Sequence, residues 1–167
     1  MPKRSAGILL YRVTADTGLE VWLAHMGGPF WARKDAGAWT IPKGEHDEGD
    51  DPLEAARREF AEEMGVPAPD VPLRGLGVFR QPSGKILTVF AAEADFQPEH
   101  IKSNTFTLEW PKGSGRLRDY PEVDDARWFP ITDARARLLR GQLAVLDALE
   151  ESIRAGRAIS PTADDGE

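Results

Sequence analysis

Short apolar segments separated by turn residues dominate the first two thirds of the chain, and this spacing is typical of a strand-rich domain. Seven segments are predicted to be strands: 5–13, 19–26, 38–42, 75–80, 86–94, 105–110 and 126–129. The turn-forming residues 14–18 link the first two segments, and Pro82, Ser83 and Gly84 favour a hairpin between the fourth and fifth. Residues 27–37 are predicted to form a loop.

A helix is predicted over residues 52–64, because the chain carries signals for both of its ends. Asp51 is a good N-cap, Pro52 suits the first helical position, and Gly65 is a typical stop. One apolar stripe runs along this helix and is expected to pack on the core; its members are Leu53, Ala56, Phe60 and Met64.

A second helical region is predicted over residues 133–154, with Gly141 as the candidate break. Its core-facing side chains recur at helical spacing; they are Leu139, Leu143, Leu146, Leu149 and Ile153. The length of the chain fits one domain with one core. We therefore expect a single domain over residues 1–155, followed by a polar and mobile tail over residues 156–167.

Composition and charge narrow the classes of function. The chain has 167 residues with no cysteine and three histidines, which excludes disulfides and thiolate metal sites and disfavours a zinc site. The net charge is −7 at pH 7, so we expect no binding to a nucleic-acid backbone. No apolar segment is long enough to span a bilayer, and Arg12 interrupts the opening one. We therefore expect no signal peptide, no membrane partner and a cytoplasmic location.

Three glutamates share one face of the predicted helix, away from its apolar stripe. Glu59, Glu62 and Glu63 lie at positions i, i+3 and i+4, where each like-charged pair costs about 0.2–0.5 kcal/mol. A hard divalent cation with oxygen ligands would offset this repulsion. The alternative is an acidic face that is simply solvated.

These glutamates belong to a longer pattern that resembles the Nudix box of the Nudix hydrolase superfamily. From Gly44 to Val66 the chain has the family's glycine, Arg-Glu, Glu-Glu and final glycine at the family's spacing. Asp50 stands where the family usually has glutamate, which puts the supporting contact of that residue in doubt. The preceding segment 39–44 and the later segment 122–130 are also similar to the family's pattern.

The resemblance implies an α/β fold, a Nudix-type α/β/α sandwich with a mixed β-sheet and a loop–helix–loop catalytic segment. It also implies Mg²⁺ or Mn²⁺ as the cofactor. In the family the metal is bound at positions that correspond to Glu59, Glu62, Glu63 and a backbone carbonyl near Lys43 and Gly44.

The resemblance further assigns roles to the residues beside the metal ligands. Arg58 would hold the carboxylates in place through a charge-assisted bond. Glu122 would complete the metal site or act as the general base, and Glu59 is the alternative base.

Three cations are candidates to bind the outer phosphates of a substrate: Lys43, Arg33 and Lys34. For each, the alternative is a solvated loop side chain. Lys85, at the predicted hairpin turn, is interpreted as an ordinary surface residue.

The implied function is metal-dependent hydrolysis of a diphosphate bond in a nucleoside triphosphate or another nucleoside diphosphate derivative. Residues 28–34, 103–106 and 109–111 resemble bacterial members described as predicted nucleoside triphosphate pyrophosphohydrolases, whereas segments 6–9 and 42–44 resemble diadenosine polyphosphate hydrolases. Two alternatives are a non-catalytic nucleotide-binding module and an interaction domain that shares only the helix. The expected partner is a nucleotide-like small molecule, bound by a monomer or a homodimer.

Overall fold

The computed structural model describes the backbone of residues 2–164 and the side chains of residues 2–156. Within that part the strands are β1 (Arg4–Thr14), β2 (Gly18–Met26), β3 (Trp39–Thr40), β4 (Lys43–His46), β5 (Arg74–Arg80), β6 (Ile86–Glu93), β7 (Thr105–Glu109), β8 (Leu117–Pro121) and β9 (Val123–Pro130). The α-helices are α1 (Pro52–Met64), α2 (Ile131–Arg137) and α3 (Leu143–Asp164).

Seven of these strands form one mixed sheet in the order β3-β2-β1-β6-β5, with β4 paired to β1 and β9 paired to β2. β1 runs parallel to β6, whereas its pairings with β2 and β4 are antiparallel. One edge of β1 is divided between two partners, because residues 4–7 pair with β4 and residues 11–14 pair with β2. This division places β4, the first part of the predicted box, at the centre of the sheet.

The sheet buries both of its faces, which explains why residues 6–11 of β1 are apolar at consecutive positions. Ile8 and Leu10 belong to the core on the α1 side, together with Phe60. Leu9 points the other way and packs in the core that includes Leu146 of α3. The predicted α/β sandwich with a mixed sheet is therefore confirmed.

Helix α1 begins and ends where the sequence predicts. The Asp51 carboxylate accepts a hydrogen bond from the Leu53 N–H, and Pro52 occupies the first turn. Gly65 adopts the left-handed conformation (φ 81°) and donates its N–H to the Ala61 carbonyl, which ends the helix. The apolar stripe is anchored in the core, so the glutamate face points toward β4.

The second helical region differs from the prediction at its break. α2 ends at Arg137, and the backbone of the next two residues is extended because Leu138 pairs with Trp39 and the Leu139 N–H donates to the Trp39 carbonyl. A 3₁₀ turn over Arg140–Gln142 then leads into α3. The break therefore precedes Gly141, and its cause is a pairing with a distant strand.

The sequence pattern did not predict two further strands. β4 continues the chain after the predicted segment 38–42, and β8 pairs with β7 in a separate two-stranded sheet. The predicted segment 126–129 is the end of the longer β9.

α3 continues to Asp164, through most of the region predicted to be a mobile tail. Residues 165–167 lie outside the described residues, and the mobility of the tail stays a prediction. None of the described helices combines the length and apolar character needed to cross a bilayer.

Candidate active site

The site begins where β4 meets α1. A side chain at Gly44 has no room, because a Cβ there would lie 1.5 Å from the Glu59 Oε1. Glu59 therefore packs directly on the backbone of the strand. The glycine at the start of the box is required by this close approach rather than by an unusual backbone angle.

A cavity of about 390 Å³ opens at this junction. Its walls are Lys43, Gly44, Glu45, Glu59, Glu62, Glu63, Lys85, Asn104 and Glu122. Six residues predicted for the site are brought together here: Lys43, Gly44, Glu59, Glu62, Glu63 and Glu122. They come from the loop–helix segment and from the residue between β8 and β9, which are far apart in the sequence.

Two glutamates of α1 hold their protons more tightly than usual. The pKa of Glu59 is raised by burial and by the neighbouring Glu62 carboxylate, with Arg58 opposing the shift. Burial also raises the pKa of Glu63, from its ordinary 4.5 to about 8, with Lys43 opposing the shift and Glu59 and Glu122 adding to it. A bound cation would reverse these shifts, because it favours the charged carboxylates.

Lys43 is placed at the same cavity. Its backbone N–H donates to the Glu63 carboxylate at 3.3 Å. Burial lowers the pKa of the Lys43 side chain, and the nearby ammonium of Lys85 lowers it further. The cavity therefore holds two lysines facing several carboxylates in a partly dehydrated space.

Glu122 is held by its main chain on both sides. Its N–H donates to the Asn104 carbonyl at 2.8 Å, and its carbonyl accepts from the Gly27 N–H at 2.9 Å. Asn104 in turn donates to the Glu62 carbonyl at 2.9 Å. A continuous series of backbone hydrogen bonds thus connects the end of α1 to Glu122.

Arg58 lies beside the site and contacts Glu59, with 3.4 Å between Nε and Oε2. Asp50, the residue that departs from the family pattern, closes the loop before α1 because its carboxylate accepts from the Asp47 N–H at 3.0 Å. The Asp50 side chain, shorter than the glutamate usual in the family, therefore forms its hydrogen bond within the loop that precedes α1.

Arg33 and Lys34 do not line the cavity. The Lys34 Nζ lies 3.5 Å from the centre of the Phe30 ring, and the Lys34 carbonyl contacts His25 Nε2 at 2.6 Å. Their predicted contact with substrate phosphates stays a prediction.

Sequence reasoning missed three residues of the cavity: Glu45, Lys85 and Asn104. The sequence predicts Lys85 to be a surface residue, but the parallel pairing of β6 with β1 brings the start of β6 beside the part of β1 that pairs with β4, and the Lys85 Nζ lies 3.8 Å from a Glu45 oxygen. A parallel pairing leaves no local signal in the sequence. Asn104 had no signal either, since its position depends on a hydrogen bond to α1.

The residues present fit a hard divalent cation by the chemistry of their donors. Carboxylate oxygens converge on one cavity, and burial together with neighbouring carboxylates raises the pKa of two of the carboxyl groups. Among the described residues no three acidic or histidine side chains already surround a single point, so binding requires rotation of these side chains.

Comparison with known proteins agrees with the geometry. The family model of the NUDIX domain matches residues 1–149. A nucleoside triphosphate pyrophosphatase/Nudix hydrolase fusion protein of Bifidobacterium longum (strain NCC 2705) is 31% identical over 137 residues, which is 81% of this chain. The match spans 25% of that relative, so the chain corresponds to about a quarter of its length.

Solved structures share the fold. A C. elegans Ap4A hydrolase binary complex has a TM-score of 0.64 and 19% identity, covering 90% of this chain and 98% of that chain. A mutT/nudix family protein from Listeria innocua has a TM-score of 0.64 and 23% identity, covering 95% and 99%. The NUDIX domain of Shewanella oneidensis NrtR, complexed with ADP ribose, has a TM-score of 0.62 and 18% identity, covering 92% and 89%.

Nudix hydrolases generally use divalent metal ions, in agreement with the donor set of the cavity. The predicted resemblance is confirmed, and the hydrolase relatives support an enzyme of this type. Because the family model covers most of its length, this chain belongs to the NUDIX domain family.

Proposed function

We propose that this protein hydrolyses a diphosphate linkage in a nucleoside triphosphate or another nucleoside diphosphate derivative, with Mg²⁺ or Mn²⁺ as its cofactor. One observation carries the proposal: a single cavity gathers the glutamates of α1, Glu122 and two lysines. A purely structural acidic helix would instead spread its carboxylates into solvent.

The cavity has to accept an anionic substrate although it is lined by carboxylates. Glu59, Glu62 and Glu63, with the Gly44 carbonyl, would hold the cation. When bound, the ion supplies charge neutralisation of the phosphates and acidification of a water molecule. Lys43 adds a positive charge for the phosphate oxygens.

A carboxylate must accept the proton of the attacking water. Glu59 and Glu122 both line the cavity and are both candidates. Arg58 would orient Glu59 through the contact already described. We assign the role of proton acceptor to either Glu59 or Glu122. The pH dependence of kcat in the variants Glu59→Gln and Glu122→Gln separates the two candidates.

The test is a screen of nucleoside triphosphates, nucleoside diphosphate sugars and dinucleoside polyphosphates with Mg²⁺ or Mn²⁺, with products separated by ion exchange. Reaction in water labelled with heavy oxygen then locates the attacked phosphorus. We expect turnover that requires the metal and is abolished by Glu62→Gln.

The matched control is Glu54→Gln, which removes an exposed glutamate from the first turn of the same helix. This variant should retain the wild-type rate. Near-normal turnover by Glu62→Gln, or equal losses in both variants, would contradict the assigned roles.

A non-catalytic nucleotide-binding module is the second candidate, and the ADP ribose complex of the related NrtR domain is its precedent for binding. Retention of Arg58, Glu59, Glu62 and Glu63 at one cavity favours catalysis. The cytoplasmic location and the choice between monomer and homodimer stay predictions.

A further inference from the structure

A second cleft adjoins the candidate active site. It has a volume of about 650 Å³ and is lined by Pro2, Lys3, Arg80, Ser83, Gly84 and Lys85. Half of these residues are basic and none is acidic. Lys85 lines both this cleft and the active-site cavity, so the two spaces lie on either side of one side chain. We call this second space the basic cleft.

The cations of the basic cleft lie at the ends of three different strands. Lys3 immediately precedes β1, Arg80 ends β5, and Lys85 immediately precedes β6. The sheet register places them at the same end of these three neighbouring strands, because Ile86 is the partner of both Arg4 and Arg80. The Ile86 N–H also donates to the Lys3 carbonyl at 2.9 Å.

The turn between β5 and β6 is closed by its own hydrogen bonds. The Gln81 N–H donates to the Lys85 carbonyl at 2.8 Å, and the Gly84 N–H donates to the Gln81 carbonyl at 2.8 Å. The backbone that carries Arg80 and Lys85 is therefore held in place before any ligand arrives.

The charges of the basic cleft are only partly compensated. Lys3 and Lys85 share one carboxylate, that of Glu45, with each Nζ 3.8 Å from one of its oxygens. Arg80 makes no ion pair with any described residue. Three cations and one carboxylate leave an excess of two positive charges, on a protein whose net charge is −7. Such an excess is suited to an anion.

We propose that the basic cleft binds phosphate groups of the substrate that lie beyond the cleaved diphosphate linkage. Because Lys85 belongs to both spaces, a linear chain of phosphates can run from the cavity into the cleft. The favoured substrate class is therefore a nucleotide with a long phosphate chain, such as a dinucleoside tetraphosphate. This inference rests on the proposed function and deepens it.

The kinetic test compares substrates that differ in phosphate number, using dinucleoside polyphosphates from the diphosphate to the pentaphosphate. For the wild type we expect kcat/KM to rise with chain length. In the double variant Lys3→Gln, Arg80→Gln the preference for the long substrate should fall about tenfold, because charge-assisted hydrogen bonds are lost. The control Arg74→Gln removes a cation from the opposite end of β5 and should keep the preference.

A second comparison of substrates tests whether the bound phosphate belongs to a linear chain or to a separate monoester. A substrate with a diphosphate linkage and a separate phosphate monoester, such as NADP, is compared with the unphosphorylated analogue NAD. If the double variant no longer distinguished NADP from NAD but still preferred substrates with longer phosphate chains, the basic cleft would bind the separate monoester. This result would overturn the inference that a linear chain of phosphates occupies the cleft.

Binding of inorganic tripolyphosphate in the absence of divalent ions tests the cleft without catalysis. Calorimetry should show a salt-sensitive affinity that falls about tenfold in the double variant and is retained in Arg74→Gln. Equal affinity in wild type and double variant would overturn the inference. A wild type that binds tripolyphosphate but cleaves none of the substrates would instead overturn the proposed function.

Discussion

The Glu63 carboxylate accepts a hydrogen bond from the Lys43 backbone N–H, with the two atoms 3.3 Å apart. This contact fixes a carboxyl group of α1 against β4, in a place where burial raises its pKa to about 8. Below that pH the protein thus carries a neutral acid at the position proposed for a metal ligand. The protonation state of the Glu63 carboxyl group therefore makes both folding stability and metal binding depend on pH.

Stability without metal should fall as pH rises from about 5 to about 8. Over this window the folded protein keeps a proton on Glu63, whereas the unfolded chain, with the ordinary pKa of 4.5, loses it. The stabilisation is therefore complete below the unfolded pKa and is lost as pH rises through the folded one. Glu63→Gln should remove this part of the dependence, as measured by Tm in a chelating buffer.

The control for this pH dependence is Glu54→Gln, since the removed side chain is exposed on the same helix. Its Tm should follow the wild-type curve. A Glu63→Gln variant with the wild-type pH dependence would show that this carboxyl group titrates normally.

Metal binding near pH 7 should release about one proton per protein from Glu63, because a ligand must be deprotonated. Calorimetry of Mg²⁺ or Mn²⁺ binding in buffers of different ionisation enthalpy measures this number. Glu63→Gln should lower it. Proton release that is zero in the wild type would contradict Glu63 as a ligand.

Gly44→Ala should disable the site while leaving the fold intact. The new Cβ would lie 1.5 Å from the Glu59 Oε1, so Glu59 has to move. We expect activity to fall about 10–100-fold, the range for displaced support of a metal ligand. Gly49→Ala, in the loop between β4 and α1, is the matched control, because no atom lies within 4 Å of its added Cβ. Equal rates in the two variants would contradict the interpretation that a side chain at residue 44 displaces Glu59.

His25→Phe should loosen the 27–37 loop. The buried imidazole connects Asp124, at 2.6 Å from Nδ1, to the Lys34 carbonyl, at 2.6 Å from Nε2. Phenylalanine keeps the ring against Trp39 but removes both of these hydrogen bonds, at a cost of about 1–3 kcal/mol. Urea unfolding measures the loss, and His100→Phe at the surface should show none.

Gln142→Leu should destabilise the junction between the 3₁₀ turn and β3. The buried amide accepts from the Ile41 N–H at 3.0 Å and donates to the Thr40 hydroxyl at 2.9 Å. Its loss leaves a buried N–H without a partner, which costs about 1–3 kcal/mol. Urea unfolding of Gln97→Leu, a change at an exposed residue, provides the reference.

The parts of the fold that local chemistry determines were predictable. α1 follows from Asp51, Pro52 and Gly65, because capping and termination depend only on neighbouring residues. The glutamate face follows from helical spacing alone. Both predictions agree with the structure at the level of single residues.

The features that depend on distant pairing were not predictable. Leu138 is extended because Trp39 pairs with it, although its own sequence favours a helix. Lys85 reaches the cavity because β6 runs parallel to β1, and Asn104 does so because it bonds to α1. In each case the partner lies far along the chain, so no local pattern reports it.

The hydrogen bond between the Asn104 carbonyl and the Glu122 N–H closes the base of the β7–β8 hairpin. The seventeen residues between them therefore leave and rejoin the body of the protein at one point. Exchange of this arm for a shorter or longer one would therefore leave Asn104, Glu122 and the other residues that line the cavity in place. The length of the chain between Asn104 and Glu122 is thus independent of the geometry of the candidate site.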